Sequence, residues 1–274
     1  MTNQPSELAA ADDLRAQVRE RYGRIATVGG CCPHSTDSSE RAREGSSSSC
    51  CGDSSVTVQI SYTPEELAGL PEGANLGLGC GNPTALLSLK PGEVVLDLGS
   101  GAGVDCFLAA RKVGPGSQVI GVDMTPTMVS KARRKARTAG YANVEFRLGE
   151  IEHLPVADRS VDVVISNCAI NLAPDKGPVY REAFRVLRPG GRLAVSDVVA
   201  TRPIQLEDRQ NSTLWSSCSS GALEIGQLKA LLREAGFEEI EVDFRISEKT
   251  PESLENPTSS GVLPANITAT KPVR

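Results

Sequence analysis

The sequence predicts an α/β fold, a mostly parallel sheet covered by helices on both faces, and three observations predict it. Short apolar runs alternate with helical patterns from Val94 to Val199. A glycine-rich turn, Gly99 to Gly103, stands where a strand passes into a helix. The chain has 274 residues, 39% of them hydrophobic, enough to bury a full core in one main domain.

Taken in order, Leu8, Ala11, Leu14 and Val18 recur at near-helical spacing among Ala, Arg and Glu, which predicts an amphipathic helix from Ser6 to Tyr22 that breaks at Gly23. From Gly29 to Ser55 the apolar residues nearly vanish and nine serines fall between positions 35 and 55, a composition that cannot pack a core and predicts a flexible arm. The vicinal pairs Cys31-Cys32 and Cys50-Cys51 stand at the two ends of this stretch. Thr63-Pro64-Glu65-Glu66 reads as an N-cap, a first-turn proline and early acids, so regular structure resumes there. The glycine-rich loop PEGANLGLGCGNP follows, from Pro71 to Pro83.

Strands are then expected at Val94–Leu98, Gln118–Asp123, Val144–Leu148, Val161–Ser166 and Arg192–Val199, with helices at Val104–Val113, Thr127–Ala139 and Pro178–Leu187 between them. A helix near Ile225–Ala235 precedes two last strands, Ile240–Phe244 and Ala265–Thr270. This divides the chain into an N-terminal helix and arm (1–62), a cofactor-binding domain (63–200) and a C-terminal region (201–274) that completes the sheet.

Composition narrows the partners. A net charge of -5 leaves no basic excess to displace counterions, which excludes a phosphate-tracking nucleic-acid binder and favours a small-molecule partner. The N-terminus lacks a basic segment followed by an apolar one, and no stretch reaches bilayer-spanning length, so a cytoplasmic protein without membrane attachment is expected, and a monomer. Eight cysteines in a reducing compartment point to metal or redox chemistry rather than a disulfide framework.

The sharpest motif is VVLDLGSGAG, Val94 to Gly103. Gly99, Gly101 and Gly103 let a cofactor approach the backbone, and the N-H groups of the following helix face a polar ligand. A dinucleotide fingerprint would want glycine at 104, where this chain has Val104; G-x-G-x-G preceded by Asp97 instead resembles the class I methyltransferases, whose cofactor is S-adenosylmethionine. Asp123, at the end of the next strand, is placed to accept hydrogen bonds from both ribose hydroxyls, and Met124 to lie on an adenine face. Glu150 and Ile151 after the third strand and Asn167 at the end of the fourth gather at the same carboxyl edge, so Asp97, Gly99, Ser100, Gly101, Gly103, Asp123, Met124, Glu150, Ile151 and Asn167 form the candidate cofactor site.

The cysteines fit no zinc pattern, because the vicinal pairs are not C-x-x-C and the two histidines, His34 and His153, stand at no finger spacing. Disulfides within a vicinal pair are strained, since neighbouring Cα atoms lie about 3.8 Å apart. Cys80 in the glycine-rich loop, Cys168 directly after the fourth strand and Cys218 beyond the fifth are expected near the crevice, as soft ligands for a thiophilic centre such as trivalent arsenic. Cys106, on the helix after the glycine turn, reads as a small buried hydrophobe.

With PEGANLGLGCGNP, VLDLGSGAGVDCF, GVDMTP, FRLGEIEHLPV and above all SNCAINLAPDK, the chain resembles the arsenite methyltransferase family from VRERYGRIA to ANITATK. The resemblance implies a class I methyltransferase, Rossmann-like fold that methylates arsenite and methylated arsenicals for detoxification. It implies that Cys80, Cys168 and Cys218 bind arsenic or join a disulfide relay, that one of Cys31, Cys32, Cys50 and Cys51 supplies the first relay thiol, and that thioredoxin or glutathione restores the thiols. Two other readings compete: a methyltransferase for a small organic acceptor such as a quinone or sterol, and a non-catalytic thiol-rich metalloid binder. The 4% aromatic content disfavours the first, and the intact glycine turn with Asp97 and Asp123 the second.

Overall fold

The computed structural model describes residues 5–28, 62–216, 218–244 and 261–273. Cys31, Cys32, Cys50 and Cys51, and the arm that carries them, lie outside the described residues. Seven strands form one sheet: β1 Val95–Leu98, β2 Val119–Asp123, β3 Val144–Leu148, β4 Val161–Asn167, β5 Leu187–Ala200, β6 Glu238–Phe244 and β7 Val262–Thr270. Their order is β3-β2-β1-β4-β5-β7-β6, with β7 antiparallel to both neighbours and the other pairs parallel.

Alternation along the strands fills two cores. Leu96, Leu98, Ile120, Val122, Val164, Leu193 and Val195 face one side of the sheet, against Val179, Tyr180, Ala183 and Val186 of α6 (Lys176–Val186) and Leu228 and Leu232 of α9 (Ile225–Ala235). Val95, Val119, Val163, Ile165 and Ala194 face the other, under α4 (Val104–Val113) and α5 (Pro126–Thr138). Strands buried on both faces read as continuous apolar runs, and the expected strand boundaries fall within three residues of the observed ones, except that β5 begins at Leu187, five residues before the expected Arg192.

Four short helices complete the described elements: α2 Pro64–Leu67, α3 Pro83–Leu86, α7 Leu206–Gln210 and α8 Ser212–Ser216, with a 3-10 turn at Ile170–Leu172. Thr63 caps α2 as expected, its hydroxyl accepting from Glu66 N while the Glu66 carboxylate accepts from Thr63 N.

The first helix departs from expectation. α1 runs unbroken from Pro5 to Val28, through Gly23. Glycine inside a helix costs about 1 kcal/mol relative to alanine, but Ile25 and Ala26 beyond it are buried against Leu76, Ala102 and Met128. Their burial outweighs the local penalty at roughly 25 cal/mol per Å² of apolar surface. α1 therefore reaches across the carboxyl edge of the sheet. Among the described residues, no helix is long and apolar enough to cross a membrane.

Candidate functional site

The chain reverses its direction of winding between β1 and β4, and a crevice opens beyond their carboxyl ends. A cavity of about 510 Å³ occupies it, walled by the turn after β1, the end of β2, the loops after β3 and β4, the Leu76–Cys80 segment and α1. Of the residues expected at a cofactor site, Gly99, Ser100, Gly101, Asp123, Met124, Ile151 and Asn167 line it.

Gly99 adopts φ +73°, and a Cβ there would collide with Ala169 Cβ, so only glycine lets the turn after β1 pass beneath the loop after β4. Ser100 Oγ is buried without a hydrogen-bond partner among the described residues, a polar group at the cavity wall that a polar ligand would satisfy. Asp123 Oδ2 accepts from Gly101 N at 2.9 Å and Oδ1 from Thr125 N at 2.8 Å, which fixes the carboxylate at the mouth. Burial raises its carboxyl above the usual range, and those two N-H groups pull it back. A glycine cradle, an orphaned hydroxyl and a fixed acid suit the polar nucleoside end of S-adenosylmethionine.

Asp97, Gly103 and Glu150 do not line the cavity. Asp97 is 2% exposed and accepts a hydrogen bond from Cys106 Sγ at 3.3 Å. Burial, with the charge of Asp105, pushes its carboxyl well up. Gly103 packs under the Phe146 and Phe107 rings. Glu150 turns outward to Arg19 at 3.2 Å and Arg15 at 3.6 Å.

Side chains without a motif complete the wall. Glu152, 5% exposed, pairs with Arg15 at 3.1 Å and so ties α1 over the crevice, where Val18 and Tyr22 also line it. Asp105, on the first turn of α4, accepts from Tyr62 Oη at 2.7 Å and from Asn167 Nδ2 at 3.2 Å. Burial pushes its carboxyl up to about 6, and those hydrogen bonds oppose the shift. The helical register of α1 and the approach of Tyr62 to α4 are tertiary facts with no local signature.

The three single cysteines meet at the β4 end of the same cavity. Cys80 and Cys168 are joined as a disulfide with Cα atoms 5.9 Å apart, although 88 residues separate them in sequence. Cys218 Sγ donates to Cys168 O at 3.0 Å. Cys168 and Cys218 both have left-handed backbone, φ +52° and +65°, and are two of four non-glycine residues with positive φ among those described. That conformation costs about 1–2 kcal/mol each and concentrates where geometry serves function. Asp197 Oδ lies within 4.8 Å of the Cys80 and Cys168 sulfurs. Burial pushes its carboxyl up to about 6, against hydrogen bonds from Val198 N and Asn171. Cys106 is fully buried in the α4 core, where burial and Asp97 hold its thiol well above the usual range. It belongs to the packing.

Comparison with known proteins gives this arrangement its relatives. Residues 89–236 match the family model of the methyltransferase domain. The chain is 51% identical over 234 residues to an arsenite methyltransferase of Halobacterium salinarum, covering 84% of this chain and 59% of the relative. It is 42% identical over 214 residues to one of Aquipseudomonas alcaligenes, covering 76% and 60%. It thus spans about three-fifths of the length of these curated relatives. The fold superposes on an arsenic(III) S-adenosylmethionine methyltransferase from Chlamydomonas reinhardtii with a TM-score of 0.57 and 36% identity, covering 71% of this chain and 67% of that one. With a glycine-turn crevice and a fixed acid at its mouth, on a sheet of this order, the chain belongs to the methyltransferase-domain family.

Proposed function

We propose that this protein methylates trivalent arsenic, arsenite first and methylated arsenicals after it, with S-adenosylmethionine as donor. The observation that carries the reading is the convergence of Cys80, Cys168 and Cys218 on the cavity that Gly99, Ser100 and Asp123 also line. When bound, S-adenosylmethionine supplies an electrophilic methyl group. Gly99 and Gly101 would admit it to the backbone, Asp123, Met124 and Ile151 would hold its nucleoside end, and α1, tied by Arg15 to Glu152, covers the crevice against water.

The cysteines bind the substrate. Arsenite arriving as a thiol adduct exchanges onto the protein thiolates, and three soft sulfurs leave the arsenic lone pair as the nucleophile. The wall contributes position rather than acid-base chemistry, since a held nucleophile gains effective concentration. Closing a disulfide between two cysteines returns two electrons to the oxidised arsenic, and Cys80 and Cys168 stand at bonding distance for it. One of Cys31, Cys32, Cys50 and Cys51 then exchanges with Cys80, and thioredoxin or glutathione reduces the resulting bond. We assign residues 63–200 to the cofactor and two of the arsenic thiols, 201–274 to the third thiol and the completion of the sheet, and 1–62 to the cover of the crevice and the relay, in a cytoplasmic monomer that detoxifies arsenic.

Tyr22 is the aromatic side chain on the cavity wall among the described residues, which gives a flat organic acceptor little to stack against. Incubation with arsenite, glutathione and S-adenosylmethionine, followed by separation of arsenic species, tests the proposal. Methylated arsenic with matching S-adenosylhomocysteine is expected. Arsenic retained on the protein without methylation would reduce it to a metalloid binder, and methylation of a quinone in place of arsenic would redirect it.

A further inference from the structure

Asn167, read from the sequence as a cofactor residue, makes its hydrogen bonds elsewhere. Its Oδ1 accepts from Cys80 N at 2.9 Å and Gly81 N at 3.2 Å, while Nδ2 donates to Gly81 O at 2.8 Å. The same Nδ2 also faces Tyr62 Oη at 2.9 Å and Asp105 Oδ2 at 3.2 Å, both of them buried groups fixed to each other. One carboxamide therefore ties the Cys80 loop, through its own backbone, to the end of β4 immediately before Cys168. The loop is shaped to receive it: Gly79 adopts φ +110°, and a Cβ there would lie 2.8 Å from Asn167 Oδ1.

We infer that Asn167 is a positioning residue for the thiol pair, a clamp that holds the Cys80 loop so that its sulfur stays within reach of Cys168. The inference rests on the proposed role of these cysteines in arsenic binding and relay. The clamp raises the effective concentration of one thiol at the other, so it favours both the bound arsenical and the closed disulfide over open forms. The peptide groups of residues 80 and 81 are neutral and buried, and losing the hydrogen bonds to them should lower that effective concentration about tenfold.

The test uses the full chain and reads the Cys80–Cys168 couple directly. Parent and Asn167→Ala are equilibrated in glutathione buffers of graded poise, quenched by alkylation, and the fragments bearing Cys80 and Cys168 are quantified by mass. A tenfold loss appears as a potential about 30 mV less negative. Arsenite affinity without cofactor, followed through Trp215, the single tryptophan of the chain, should fall about tenfold as well. S-adenosylmethionine affinity by calorimetry should stay within about twofold of the parent. Should Asn167→Ala not fold, Gly79→Ala attacks the same contact from the loop side and should move the potential in the same direction. An unchanged potential in the folded variant, with S-adenosylmethionine affinity lost instead, would return Asn167 to the cofactor and overturn the inference. The redox readout needs no arsenic, so it decides the clamp even if the parent methylates none.

Discussion

The two halves of the crevice are built by different means. On the β1–β2 side the wall proposed for the cofactor is local: Gly99, Ser100, Gly101 and Asp123 lie within 25 residues, and two hydrogen bonds from Gly101 and Thr125 set the acid. On the β4 side the thiol wall is assembled from Cys80, Cys168 and Cys218, separated by 88 residues between the first two, and held by a side-chain amide and left-handed backbone. A local turn makes a site that tolerates change around it. A site gathered from distant segments depends on each support.

The comparison is broken most severely at the thiols. Cys168→Ser and Cys218→Ser should each lower arsenite methylation by on the order of a thousandfold, because the hydroxyl keeps the volume but offers no soft ligand to hold the nucleophile. In reducing buffer, where the Cys80–Cys168 bond is open in the parent too, their thermal unfolding should stay near the parent's, and Cys106→Ser, in the α4 core, should keep most of the activity; normal turnover by the first two variants would move the arsenic site elsewhere.

On the cofactor side, Asp123→Ala should weaken S-adenosylmethionine binding about 10- to 100-fold, the worth of a charged hydrogen-bond acceptor. Arsenite binding should persist, read through Trp215, whose indole donates to Leu172 O at 3.1 Å one turn before Cys218. A parallel loss of both affinities would show that the two walls are not separable.

Buried charge sharpens the contrast further. Burial raises the Asp197 carboxyl to about 6, so the folded state holds this proton more tightly than the unfolded chain. Its ionisation therefore costs stability: the cost is absent below the unfolded value near 4, develops as pH rises, and is complete above about 6. Asp197→Asn should gain on the parent by on the order of 2 kcal/mol between pH 4 and 7 in chemical denaturation. Parallel stability curves would mean that this acid titrates alike in both states.

The smallest effect is expected at the helix that covers the crevice. Arg15→Met removes the partner of nearly buried Glu152 and should raise the KM for S-adenosylmethionine roughly fivefold with little change in kcat, about 1 kcal/mol for a pair at the rim of the site. A fall in kcat alone would place α1 in the chemistry rather than over it.

Much of the first half was legible in the sequence, because its information is local. The strand, turn and helix of VVLDLGSGAG and the acid ending the next strand follow from periodicity and glycine alone. That Glu152 rather than Glu150 faces the cavity depends on how the chain turns after β3, which no pattern specifies. The continuation of α1 through Gly23 comes from Ile25 and Ala26 finding Met128, a tertiary contact that overrides propensity. For the thiol half, residue type and strand position brought the cysteines to the right edge. Their supports, Asn167 on the Cys80 loop and Tyr62 on Asp105, link segments tens of residues apart and had no sequence signal.

Arsenic K-edge X-ray absorption on the reduced protein loaded with arsenite, without cofactor or added thiol, tests the central claim most directly. The account predicts an arsenic shell of three sulfur neighbours, falling by one sulfur in Cys218→Ser and Cys168→Ser alike. A shell of oxygen neighbours, or a sulfur shell that neither substitution changes, would contradict it.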